Sequence, residues 1–210
     1  MSAPATGPAT HDELPLFPLR SVLFPDGLLE LKIFETRYLD MMSACMRTQR
    51  PFGVVALRSG TEAKVSDQPV SLHEAGTLAE LIEVDSAQAG ILLVRARGTL
   101  RFTLGAAEQR AGGLWVGRAE ERAADAVVAP GASHSRVVKS LADAVATMAA
   151  QGARPFLEPH RFDDAGWVAN RWCEILPLPL EAKQRLMLFG DPLGRLDIVD
   201  SFMRSQQKAH

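Results

Sequence analysis

The 210-residue sequence predicts an α+β fold, a compact β barrel or curled sheet with one early helix followed by a small helical bundle. Three observations carry this. Short stretches of alternating apolar and polar residues succeed one another as far as residue 119, with a single helical pattern inserted early. At about residue 124 the composition turns small and flexible (AADAVVAPGAS). Beyond it, apolar residues recur at three- and four-residue steps. The expected organisation is a disordered tail over 1–12, a β domain over 13–123, and a linker with a helical bundle over 124–210.

The opening residues MSAPATGPATHD are rich in Pro, Ala and Thr and contain little that can pack. Residues 14–19 (LPLFPL) read as a strand, but Pro15 and Pro18 each remove a backbone donor, which predicts an edge position. Phe24-Pro25-Asp26-Gly27 suits a type I turn. In LLELKIF, Leu29, Leu31 and Ile33 face one way and Glu30 and Lys32 the other, a half-buried strand. Residues 35–49 form a helix, because Tyr38, Met41, Met42, Cys45 and Met46 fall on one face and Pro51 ends the pattern. Residues 52–57 and 78–84 are strands separated by a polar loop over 59–68. Residues 91–102 pair with the preceding strand through Ser86-Ala87-Gln88-Ala89-Gly90, and residues 114–119 close the β-rich part.

In the second part, residues 135–151 are alanine-rich and stop at Gly152. Residues 163–176 carry Trp167, Val168, Trp172, Ile175 and Leu176 mostly on one side. Pro177 and Pro179 break the chain, residues 181–189 resume a helix, and Gly190-Asp191-Pro192 breaks it again. A last helix presents Leu193, Leu196, Val199, Phe202 and Met203 as a stripe.

Composition excludes several classes of function. Lys and Arg (23) nearly balance Asp and Glu (25), and the net charge of -2 supplies no field that gathers nucleic acid or anionic lipid. The two cysteines, Cys45 and Cys173, form no C-x-x-C pair, so two buried free thiols are expected. The start resembles no secretory signal and no stretch is long and apolar enough for a bilayer, which places the chain in the cytoplasm. No phosphate-binding G-x-x-x-x-G-K-[ST], no G-x-S-x-G and no H-E-x-x-H is present. The five histidines are scattered without metal-ligand spacing, so neither a metal nor a cofactor is expected. Ser133-His134-Ser135 lies in the flexible linker and reads as a solvated loop, without the rigid support catalysis requires.

Period-two geometry puts Arg95, Arg97 and Arg101 on one face of a strand. They form either a phosphate-binding stripe for RNA or cross-strand ion pairs with acids such as Glu80 or Glu83. The absence of an aromatic residue on that face favours the ion pairs. Met41, Met42 and Met46 similarly offer either an adaptable binding surface or a packed helix face, and packing is favoured.

The stretch LPLFPLRSVLFPDGLLELKIFETRYLDMM resembles the start of the amino-terminal domain of the Lon ATP-dependent protease family, through L-P-L-F-P-L, V-L-F-P and I-F-E-x-R-Y. FGVVAL, GTLAELIEVD, RGTLRF and LPLEAKQRLMLFGDPLGRLDIV look like its later landmarks, so the resemblance runs over residues 14–202. It implies a PUA-like β pseudo-barrel followed by a helical bundle, without the family's ATPase module or Ser-Lys peptidase. It implies a non-enzymatic module that binds unfolded or degradation-tagged polypeptides, a separate ATPase or protease as partner, and oligomerisation. Glu35 and Arg37 match the polar positions of I-F-E-x-R-Y and are read as structural, the first at a helix N-terminus and the second paired to a carboxylate, with Phe34 and Tyr38 packed beneath them. Leu23, Phe24, Ile33, Phe34, Met41 and Met42 are the candidate polypeptide-binding residues, in an apolar groove between barrel and helices.

Overall fold

The computed structural model describes residues 8–59 and 70–208. Residues 1–7 of the expected tail and most of the expected 59–68 loop lie outside them. Over these described residues the fold is α+β, with a six-stranded sheet and five α-helices: β1 (Thr10–Leu19), β2 (Leu28–Ile33), α1 (Thr36–Thr48), β3 (Phe52–Ser59), β4 (Ser71–Gln88), β5 (Ile91–Gln109), β6 (Trp115–Glu121), α2 (Ser135–Ala150), α3 (Ala165–Ile175), α4 (Leu180–Leu188) and α5 (Pro192–Lys208). It divides into two compact units. One runs to Leu23 and again from Leu29 to Ala124; the other takes the short segment Phe24–Leu28 together with everything from Asp125.

In the first unit the strand order is β2-β5-β4-β3-β1-β6, and β5 also pairs with β6. Five strands thereby close into a ring, which leaves no open edge among them except where a strand outruns its neighbour. Leu14, Leu16, Val55, Leu78, Phe102, Leu104 and Ala119 cluster on one face of the sheet. Phe17, Leu19, Val54, Ala79, Val94 and Ala96 alternate with them and pack on the other face against Tyr38, Met41, Met42 and Cys45 of α1. The ring closes tightly around the first cluster: a Cβ on Gly76 would lie 2.1 Å from the carbonyl oxygen of Val54 and 2.7 Å from the Phe102 ring.

β1 differs from the edge strand its prolines suggest. It starts at Thr10, ahead of the expected boundary, with Thr10 opposite Glu120 and His11 opposite Ala119 on β6, and His11 Nε2 lies 3.0 Å from Glu121 Oε1. Backbone pairing needs no apolar side chain, which is why composition does not reveal it. The strand is flanked by β6 as far as Leu16 and by β3 only from Leu16 to Leu19. Pro15 pairs with Val116 on one side and Pro18 with Val55 on the other. A strand that exchanges partners halfway has a neighbour on only one side at each proline, so the missing N–H breaks no second ladder.

The turn after β1 also departs from expectation. Gly27 N donates to Phe24 O at 2.9 Å, but Asp26 has φ 59°, which makes the turn type II. In this left-handed conformation its carbonyl and carboxylate are held by Arg171 and Arg161 respectively.

In the second unit α3 is buried on all sides from Ala165 to Cys173 and packs against α5 and α2. Asp164 caps it, accepting from Gly166 N at 2.9 Å. Trp172 Nε1 donates to Val137 O of α2 at 3.1 Å. Arg195 of α5, fully buried, donates to Asn170 Oδ1 at 3.1 Å and pairs with Asp125. His134 is not in a solvated loop: it closes a 3-10 turn (Ala132–His134), is buried, and lies 2.7 Å from Asp197. Its imidazole tethers the start of α2 to α5, which the flexible composition on its N-terminal side conceals.

Candidate functional site

Of the six candidate polypeptide-binding residues, five are in the interior. Leu23, Ile33, Met41 and Met42 are buried in the first unit, and Phe24 is 0% exposed in the second. Leu23, Ile33, Met41 and Met42 belong to the cluster beneath α1, so their side chains are unavailable at the surface. Phe34 is the exception at 66% exposed, which also corrects the expectation that it packs beneath Glu35 and Arg37. Ile33 ends β2 inward and the chain turns into α1 at Thr36, so Phe34 falls on the outward side of the junction.

Phe34 borders a shallow hollow of about 370 Å3 shared with Glu35, Thr36, Arg37 and Gly112. One wall is rigid. Arg37 Nη2 is 2.7 Å from Glu35 Oε2, its Nη1 donates to Gly113 O at 2.8 Å, and its guanidinium lies over the Tyr38 ring at 4.6 Å. Tyr38 stacks in turn on Phe17 with ring centroids 4.2 Å apart. The I-F-E-x-R-Y motif thus builds an ion pair clamped to a loop carbonyl on one side and an unshielded aromatic ring on the other.

A larger cleft of about 670 Å3 opens at the opposite end of α1. One wall is the first half of β1, from Thr10 to Pro15; the other is Ala44, Cys45 and Thr48 of α1 with Arg50 and Pro51 behind them. Burial pushes the Cys45 thiol above its ordinary pKa, so this wall is neutral there. These residues escape sequence reasoning because residues 10–12 look like tail and because Thr48, Arg50 and Pro51 read only as a helix terminus. The signal present was the pair of prolines in β1, which already implied a strand without a full set of neighbours.

The arginine stripe does not form. Glu83 and Glu30 flank Arg95 at 2.9 and 3.4 Å, and the hydrogen bond to Glu83, foremost, raises the guanidinium pKa above its usual value. Arg97 stands opposite Glu80 in the register. Arg101 is only 4% exposed and donates toward Ala123 O at 3.4 Å. Gly98 pairs with Ala79 and Arg101 with Thr77, so β5 carries one more residue than β4 across that interval. This bulge reverses the alternation and turns Arg101 to the face opposite Arg95 and Arg97.

Among the described residues no three His, Cys, Asp or Glu side chains gather as a metal site, and no helix is long and apolar enough to cross a membrane. Fold and site together define an α+β protein whose recesses are lined by apolar and paired polar groups. The chain belongs to the family of ATP-dependent protease La (LON) substrate-binding domains, whose model matches residues 13–205. It is similar to a Lon N-terminal domain protein from Xanthomonas campestris, at 30% identity and TM-score 0.72 over 91% of this chain and 98% of that one. The N-terminal domain of the Mycobacterium avium complex Lon protease shares the fold at 17% identity and TM-score 0.55, over 90% and 96% of the two chains. No curated protein matches the chain.

Proposed function

We propose that the chain is a non-enzymatic polypeptide-binding module that engages unfolded or degradation-tagged proteins in the cytoplasm, for delivery to a separate ATPase or protease. We read its ring of strands as a PUA-like pseudo-barrel and its helices α2–α5 as a small bundle. Membership of the substrate-binding family supports this reading. The observation that carries it is the exposure of Phe34 beside a preformed hollow, while Tyr38, Met41 and Met42 of the adjoining helix are packed away. A large aromatic held at the surface by a rigid motif gives apolar segments of a client a place to dock, with area that native proteins seldom offer in return.

Fluorescence anisotropy with a labelled, permanently unfolded chain and its folded counterpart, across a salt series, tests it. Selective and salt-tolerant binding of the unfolded form is expected, and Phe34→Ala should weaken it about ten-fold, equal to roughly 1.4 kcal/mol, without lowering the melting temperature. Equal binding of folded and unfolded forms would sink the reading. RNA binding is not favoured by the pairing of Arg95 or the inward turn of Arg101; it would appear as RNA affinity that collapses with salt.

A further inference from the structure

We propose that an unfolded client is held as an additional β-strand on the open flank of β1, in the cleft beside the C-terminal end of α1. This rests on the polypeptide-binding reading and adds to the Phe34 hollow a second contact at the other end of α1. β6 occupies one side of β1 from Thr10 to Leu16. On the other side β3 begins its pairing only at Leu16 opposite Gly53, because Pro51 and α1 lead the chain away upstream. Over residues 10–15 that flank of β1 has no strand partner among the described residues, and it is this flank that faces the 670 Å3 cleft.

Away from the register shift between His11 and Leu14, every second residue of β1 directs its N–H and C=O to the side away from β6. Groups aimed into a recess require partners that alternate in the same way, and an extended backbone supplies them. The volume agrees. A strand takes up about 160 Å3 per residue from its rise, its interstrand spacing and its intersheet spacing, so the cleft accommodates about four residues of added chain. Leu14, Pro15, Ala44, Cys45 and Pro51 line the cleft, which fits small or apolar side chains on the inward positions, with Asp12, Glu13 and Arg50 as its charged lining. The added strand continues the line of β3 backwards, completing the ladder that Pro51 interrupts. A folded protein offers only its edge strands, which are mostly short or protected, whereas an unfolded chain offers any segment, so the same geometry favours unfolded partners.

Backbone hydrogen exchange, read by mass spectrometry with and without saturating reduced and carboxymethylated α-lactalbumin, tests the proposal. It is paired with anisotropy on Thr48→Trp, which fills the cleft from an exposed helix position. Exchange over residues 10–14 should slow about ten-fold in the complex, and Thr48→Trp should raise Kd about ten-fold. Binding with unchanged exchange over residues 10–14 would overturn strand addition and leave polypeptide binding intact. Failure of the probe to bind wild type at all would overturn both. Protection of the same residues that grows with protein concentration in the absence of the probe would assign the flank to a second copy and also overturn the proposal. If circular dichroism shows Thr48→Trp misfolded, exchange in the wild-type protein decides alone.

Discussion

The guanidinium of Arg171, wholly buried in α3, donates to the carbonyl oxygen of Pro25 at 2.8 Å. It also reaches Asp26 O and lies 2.9 Å from Glu174, so a single cation fixes a turn from the other end of the sequence. Burial lowers its pKa, yet an arginine stays charged. Arg171→Leu removes the cation and leaves two carbonyls and a carboxylate without it. A loss of about 3–5 kcal/mol in urea-induced unfolding is expected. A loss below about 1 kcal/mol would mean that water replaces the guanidinium without cost.

Gly76 has no room for a side chain, since the atom in its way is the Val54 carbonyl oxygen of the neighbouring strand. Gly76→Ala should destabilise by about 3 kcal/mol or prevent folding. Gly112→Ala, where nothing lies within 4 Å of the added carbon, should change stability by less than about 0.5 kcal/mol. Thermal denaturation of the two variants separates crowding from a general intolerance of substitution at glycine.

Burial pushes the Glu174 carboxyl up to about 7 from 4.5, with Arg171 and Lys183 opposing that shift. An acid whose folded pKa is raised binds its proton more tightly in the folded state than in the unfolded one. The resulting stabilisation is complete below pH 4.5 and is lost as pH rises towards 7. Across that window the unfolding free energy of wild type should fall more steeply than that of Glu174→Gln. Parallel profiles would show that Arg171 keeps the carboxylate ionised throughout.

Burial likewise pushes the Cys173 thiol up to about 12 and raises that of Cys45. Neither thiolate is populated at neutral pH, and both side chains are buried. Iodoacetamide should label both at least about a hundred-fold faster in denaturant than in the native protein. Rapid native labelling of Cys45 alone would reveal opening of the cleft it lines.

How much of this was legible in the sequence depends on whether a feature is local. The buried face of α1 is readable because Tyr38, Met41, Met42 and Cys45 repeat at helical spacing, although Met46, read as part of the same face, is 45% exposed at its border. Arg101 is misread because counting by twos from Arg95 assumes an unbroken strand, and a bulge before Arg101 leaves no mark in residue type. Pro15 and Pro18 correctly signal missing neighbours, but not that the vacancy changes sides at Leu16. Phe34 and Ile33 are adjacent apolar residues that alternation cannot rank, because which one faces inward depends on where the helix starts. Their opposite fates, one solvent-facing and one in the core, decide the candidate site.

The second unit recruits residues 24–28 from early in the chain, and Asp26 stands 145 residues ahead of the arginine that receives its carbonyl. On a ribosome adding roughly 5–20 residues per second, that turn waits on the order of ten seconds before Arg171 is made. During the interval Phe24, destined for complete burial, has none of the helices of its own unit to cover it. A nascent chain stalled before α3 therefore displays an aromatic side chain and a turn without its clamp, the kind of signal by which quality control distinguishes an unfinished protein from a finished one.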